Sequence, residues 1–316
     1  MKQLKNNPSL FTQLVIGKLR LNPLWQKKRY RIKFLLRSVL LYPETLLWLK
    51  KLAYYPEFER FIAKQTNLPC KLHRPYLANR LSRYSRFKAL SFHYDFISQL
   101  PINFVKKCYA PYPTRLATIT GKNDLPLFIY LESDDKYARE GELTITVCNQ
   151  DQIILAALTF TIIRYKQHIT LFIGGLQGSN HENLKSLIQQ ATKIGYGAFP
   201  KTLAVETALT LADFLGIKTV LAVSNKTHIY NNWRYVRKNR KRYADYDNYW
   251  VTLQGVLSRE GYYMLPVQLE RKEIESIVSK KRSEYRNKYQ VLNKLHADIK
   301  QRLSDFIESV PSKDGR

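Results

Sequence analysis

Residues 143–178 read LTITVCNQDQIILAALTFTIIRYKQHITLFIGGLQG, and their pattern decides the fold class. Leu143 to Val147 alternates aliphatic residues with threonine, Ile153 to Ile163 is a nearly continuous apolar run, and His168 to Ile173 is a third run rich in β-branched residues. Such runs read as strands, and Asn149-Gln150-Asp151 is turn chemistry, so the first two form an antiparallel hairpin. The third ends in Gly174-Gly175-Leu176-Gln177-Gly178. Upstream, Leu127 to Leu131 adds another strand. Downstream come a helical stretch from Glu182 to Lys193, a glycine-rich break over Ile194 to Ala198, and a helix from Pro200 through Leu203 to Leu215 that stops at Gly216. Lys218 to Val223 then reads as a buried strand. Hairpin, strand, bend, helix and strand make a mixed, largely antiparallel α/β sheet with one crossover.

The rest of the chain is set apart by charge. The 316 residues carry a formal net charge of +27, and 45% of them are apolar, too many for a disordered polycation. Residues 1–115 hold 23 basic and 4 acidic side chains, a net +19; residues 116–225 hold 9 and 10, and residues 226–316 hold 20 and 11. A basic front on a neutral middle is suited to meeting polyanions. The expected organisation is a basic helical N-terminal region over 1–115 and an α/β core with a C-terminal helix over 116–316. Cys70, Cys108 and Cys148 are odd in number and far apart, which favours neither a disulfide framework nor a zinc module. No stretch approaches the roughly 20 apolar residues of a membrane-spanning helix, and the first residues lack a signal-peptide pattern, so the chain reads as cytoplasmic.

In the front third, Leu10, Leu14, Ile16 and Leu19 mix with Lys18 and Arg20, Trp25 precedes Lys27-Lys28-Arg29-Tyr30-Arg31, and Pro43-Glu44 opens a further apolar helix. A basic amphipathic helix can lie in a membrane interface, or it can pack its apolar face on the protein. At the other end Tyr285, Tyr289, Leu292, Leu295, Ile299, Leu303 and Phe306 form one stripe at helical spacing. If that helix starts at Ser279, Lys280, Lys281 and Arg282 oppose its dipole in the first turn, a penalty that a bound anion would reverse. If it starts earlier, the basic run is internal.

The strand and helix order resembles the central part of the GNAT acyltransferase fold, in which the bend after the fourth strand receives the pyrophosphate of acyl-coenzyme A. That resemblance implies ligand binding at Gly174, Gly175, Gln177 and Gly178 and acyl-coenzyme A as cofactor. GNAT proteins carry their glycines directly before the helix, whereas here an extra helix intervenes. A glycine cluster after a strand can also mark a bulge or tight turn.

A second resemblance covers roughly residues 120–300. Gly174-Gly-Leu-Gln-Gly178, Thr192-Lys193 with Pro200-Lys201, Ser224-Asn225 with His228 and Tyr230, Tyr246-Asp247 with Tyr249-Trp250, Tyr263-x-Leu265-Pro266, and Lys281-Arg282-x-x-Tyr285-Arg286-x-x-Tyr289 follow in one order. In these the chain resembles the bacterial VirK/YbjX family. The resemblance implies a role in Gram-negative envelope physiology, in virulence, surface-protein display and resistance to cationic antimicrobial peptides. It supplies no reaction.

Ligands of α/β sheets collect beyond the carboxyl ends of parallel strands, which points to the loop after Val223 with Asn225, His228 and Tyr230. His228 is the candidate for acid–base chemistry, because imidazole titrates near neutrality, and Glu206 is a second candidate. Thr192, Lys193, Lys281, Arg282, Tyr285 and Arg286 complete the candidate ligand set. Arg237, Arg240 and Lys241 lie among the aromatics of Trp233 to Trp250 and are candidate anion contacts. The reading is a factor at the inner face of the bacterial inner membrane that meets an anionic membrane surface or a lipopolysaccharide precursor, with acyl transfer to a lipid or phosphosugar as its chemistry. A non-catalytic adaptor, or single-stranded nucleic-acid binding through residues 233–250, are the alternatives.

Overall fold

The computed structural model describes residues 9–19, 23–121, 125–236 and 245–308. Among the described residues seven helices come first: α1 (Leu10–Ile16), α2 (Pro23–Gln26), α3 (Lys28–Leu40), α4 (Glu44–Tyr54), α5 (Phe58–Lys64), α6 (Arg83–Ser98) and α7 (Ile102–Cys108), with a 3-10 turn at Leu68–His73. Local chemistry sets their ends. The Ser9 side chain caps α1, Gly17 closes it with φ +79, and Ser82 caps α6. Glu44 sits in the first turn of α4, as its position after Pro43 leads one to expect.

Strands β1 (Thr114–Thr120), β2 (Pro126–Glu132), β3 (Leu143–Cys148), β4 (Ile154–Tyr165) and β5 (His168–Gln177) follow as an antiparallel meander. Helices α8 (Leu184–Ile194) and α9 (Pro200–Phe214) then cross to β6 (Thr219–Val223), which pairs in parallel with β5. After α10 (Trp233–Val236) and α11 (Tyr246–Thr252), β7 (Val256–Leu257) and β8 (Tyr262–Leu265) close one open sheet in the order β1-β2-β3-β4-β5-β6-β8-β7. The expected mixed, largely antiparallel α/β sheet with one crossover is therefore present. Two details differ from the sequence reading: β1, β7 and β8 were not anticipated, and β5 runs through the glycines to Gln177 instead of ending at Ile173.

Leu155 through Ile162 of β4 are all fully buried, so both faces of the sheet are covered; α6 and α9 both pack against this strand. The long α12 (Ser279–Glu308) lies against α9 and β1 and buries Leu292, Leu295, Ile299, Leu303 and Phe306, each contributing about 1.5–3 kcal/mol. The N-terminal helices and the sheet share one continuous core that extends from Leu10 to Phe306. The three cysteines are free and buried, and no helix among the described residues is long and apolar enough to cross a membrane.

Candidate functional site

The glycines of β5 are explained by a glutamate. Thr159 pairs with Gly175 and Phe160 with Ile173, which leaves Gly174 as the extra residue of a bulge. A Cβ on Gly174 would stand 1.9 Å from the Glu140 carbonyl oxygen, and one on Gly175 would stand 2.3 Å from its Oε2. Glu140 is fully buried there. Its Oε1 lies 3.1 Å from His228 Nε2, and its Oε2 accepts from the Gln177 amide. Tyr246 stacks on the His228 ring at 4.9 Å between centroids, its hydroxyl lies 3.3 Å from Nε2, and that hydroxyl accepts from Leu176 N–H. Gly174, Gly175, Gln177 and His228 thus meet in one place, around two residues the sequence reading passed over as functional partners, Glu140 and Tyr246. The available signal was Glu140-Gly141-Glu142, two carboxylates placed directly before an apolar strand.

A carboxylate paired with imidazole is the arrangement that orients a general base. His228 is only 2% exposed, however, so this pair sits behind Tyr230, which packs on it at 5.4 Å between centroids. Burial, with Glu140 nearby, pushes the Tyr230 hydroxyl up to about 12.

The second glutamate anchors the N-terminal helices. Glu142 binds Lys71 of the 3-10 turn through Oε1 and accepts from Tyr94 of α6 at 2.6 Å through Oε2. Burial alone would raise the Glu142 carboxyl, but Lys71 beside it reverses the balance and holds it below the usual carboxylate range. His93 accepts Ile162 N–H at Nδ1, so Nε2 carries the proton and donates to Tyr109 at 3.0 Å.

The remaining candidates are spread over the molecule. Asn225 uses its side chain and N–H on Asp245, Tyr246 and Asp247, fastening the start of α11. Thr192 donates to Ile188 O, and Lys193 sits with it in the last turn of α8; Gly178 faces Leu184, whose Cδ2 would be 2.9 Å from an added Cβ. Glu206 pairs with His296 at 2.9 Å and lines a cavity of about 420 Å³ with Tyr285, Lys288 and Tyr289. Helix α12 begins at Ser279, which puts Lys281 and Arg282 in its first turn; Arg282 donates to the carbonyls of Ile277 and Glu275, while Lys281 and Arg286 are exposed. Arg237, Arg240 and Lys241 lie outside the described residues.

One surface combines charge with apolar exposure. On α3, Ile32, Leu36, Val39 and Leu40 are exposed, Leu36 by 60% and Leu40 by 75%, while Phe34 and Ser38 face inward. At 100° per residue those four fall on an arc of roughly 100°, with exposed Lys28, Arg29 and Lys33 on or beside it. The helix has no acidic residue, and none of these cations forms an ion pair among the described residues. Leu47 and Tyr54 of α4 are also exposed.

The model of a family described as "Protein of unknown function (DUF535)" matches residues 23–301. The chain belongs to the DUF535 family. It is 40% identical over 292 residues to "Uncharacterized protein YbjX" of Escherichia coli (strain K12), covering 92% of this chain and 88% of that protein, in keeping with the VirK/YbjX resemblance. An "Uncharacterized protein" of Haemophilus influenzae is 31% identical over 178 residues, 56% of this chain and 58% of that protein. No solved structure matches. The matched residues 23–301 include α3, both buried glutamates and the loop that carries His228.

Proposed function

We propose that this DUF535 protein binds peripherally to an anionic phospholipid surface and acts there on the bacterial envelope. The exposed face of α3 carries the reading. A contiguous apolar face on a protein surface marks an interaction site, and cations on the same face, without acidic neighbours, select a negatively charged partner. A second copy of the same face is disfavoured, because it would bring two like-charged surfaces together. In a bilayer interface the side chains of Ile32, Leu36, Val39 and Leu40 enter the acyl boundary, and each basic residue near the headgroups contributes about 1 kcal/mol.

The test is sedimentation with vesicles of phosphatidylglycerol and phosphatidylethanolamine. Leu36→Glu/Leu40→Glu is expected to lose most binding at an unchanged melting temperature, since neither side chain supports the core. Binding equal to wild type would count against the reading, as would a dimer that the variant dissociates.

Acyl transfer is the second reading. The order β4-β5-β6-β8-β7, with its one parallel pair at β5 and β6 and a bulge on β5 beside it, supports a GNAT-like arrangement. Titration with acyl-coenzyme A is expected to release heat and raise the melting temperature. Absence of both would remove this chemistry and leave membrane binding untouched.

A further inference from the structure

A cavity of about 250 Å³ opens where the 3-10 turn of Leu68–His73 meets the loop before β3. Lys71, Arg74, Lys136 and Arg139 line it, together with the rings of Tyr76 and Tyr230. Among the described residues, four cations converge on this space and Asp135 is its one acidic lining residue. Its Oδ2 accepts from both the Thr66 N–H and the Thr66 hydroxyl, while its buried Oδ1 has no hydrogen-bond partner among the described residues. Lys71 is bound to Glu142 at the cavity floor, whereas Arg74, Lys136 and Arg139 form no ion pair among the described residues. Arg139 is held over the Tyr235 ring at 4.7 Å, which fixes its direction without consuming its charge.

More positive charge stands around the rim. Arg86 donates to the carbonyls of Leu72 and Arg74, and Arg234 lies 3.4 Å from the His73 carbonyl. Arg37 of α3 lines a small hollow that shares Cys70 and Arg74 with the cavity. Burial, and then Arg37, Arg74 and Arg86, pull His73 down to about 4, which is consistent with a field of one sign at this end. Guanidinium groups present paired donors that match phosphate oxygens, and a low-dielectric concave wall concentrates their field.

We infer that this cavity binds a phosphate monoester or diester, with Arg74 and Arg139 on the phosphate oxygens, Lys136 at the entrance and the Tyr76 and Tyr230 rings against the organic part. The volume suits a phosphorylated headgroup or a sugar phosphate rather than a nucleotide with its base. The inference does not depend on the α3 face, although the shared rim places the cavity beside that helix. The same phosphate chemistry could arrive on a soluble metabolite or on a lipid, and the measurement separates the two.

Calorimetric titration of the full chain would use inorganic phosphate, glycerol 3-phosphate, and dihexanoyl phosphatidic acid or dihexanoyl phosphatidylglycerol below their micelle concentrations. Saturable binding of at least one is expected. Glycerol 3-phosphate binding as tightly as the short lipids assigns a soluble ligand, and tighter binding of the lipids assigns a headgroup still attached to its chains. Arg74→Gln/Arg139→Gln is expected to weaken that binding by about a hundredfold, because two charge-assisted contacts are removed. Lys136→Gln/Arg139→Gln replaces two exposed side chains, leaves the fold intact, and is expected to cost about tenfold or more. No saturable heat with any probe at millimolar concentration would overturn the inference. So would equal affinity in wild type and in a folded Lys136→Gln/Arg139→Gln variant, or an adventitious ion only, seen as weak binding of all probes that no variant changes. Vesicle binding through α3 is a separate readout, so either idea can fail while the other survives.

Discussion

Glu140 and Glu142 flank one glycine in the turn and bend just before β3, where the backbone is not yet a strand, and one meets His228 while the other meets Lys71. Their burial is supported by full partnering, and removing one partner of such a pair costs about 3–5 kcal/mol. Two buried histidines, His73 and His93, make stability depend on pH. Burial pulls His93 down to about 4, and His73 is pulled to a similar value by burial and its arginine neighbours. An unfolded histidine takes up its proton near pH 6.5. Between about pH 6.5 and 4 the unfolded chain therefore binds protons that the folded chain refuses, and stability falls as the pH falls through that window. Thermal melts across it are expected to show a steady decline, with a shallower slope in His93→Gln; a flat profile would contradict neutral burial of both rings. Glu142 acts lower on the scale. Its folded carboxyl is depressed, so its contribution is complete above about pH 4.3 and is lost as the pH drops further.

Two helices, α3 and α12, both carry apolar stripes, and they use them in opposite ways. Ile299 of α12 is fully buried, whereas Leu36 of α3 is mostly exposed. Ile299→Ala is expected to cost about 2–5 kcal/mol in urea unfolding, while Leu36→Ala should change stability by no more than about 0.5 kcal/mol. Comparable losses at the two sites would contradict the assignment of the α3 stripe to the surface. Much of this was legible in the chain. The runs from Leu127 to Ile173 appear as β2, β3, β4 and β5, the turn residues Asn149-Gln150-Asp151 join a hairpin, and Gly216, at φ +69, ends α9. β7 and β8 were missed because they are short, and Val256 and Leu257 are exposed, so no periodicity distinguishes them from loop. The glycines of β5 read in sequence as a bulge, a tight turn or a phosphate cradle, and Gly174 is the extra residue of a bulge, but nothing nearby in sequence says that the group crowding them is Glu140, more than thirty positions earlier. Nor could spacing join Lys71, Arg74 and Arg139 into one cavity, since the fold alone brings the 3-10 turn against the loop before β3.

At the scale of the whole molecule, the charge count of the sequence becomes a surface. Residues 1–115 carry a net +19, and the described helices of that stretch pack into the same core as a neutral sheet. Part of that excess rings a cavity, and part accompanies the apolar face of α3. Electrostatic attraction of exposed charges is screened over about 10 Å at 0.1 M salt and about 3 Å at 1 M, whereas apolar insertion is not. The deciding measurement is sedimentation of the wild-type protein with phosphatidylglycerol-containing and pure phosphatidylcholine vesicles at about 0.05 and 0.5 M salt. Membrane docking through α3 predicts strong pelleting with the anionic vesicles at low salt, partial release at high salt, and little pelleting with the neutral ones. Equal pelleting with both lipids, or none with either, would contradict it.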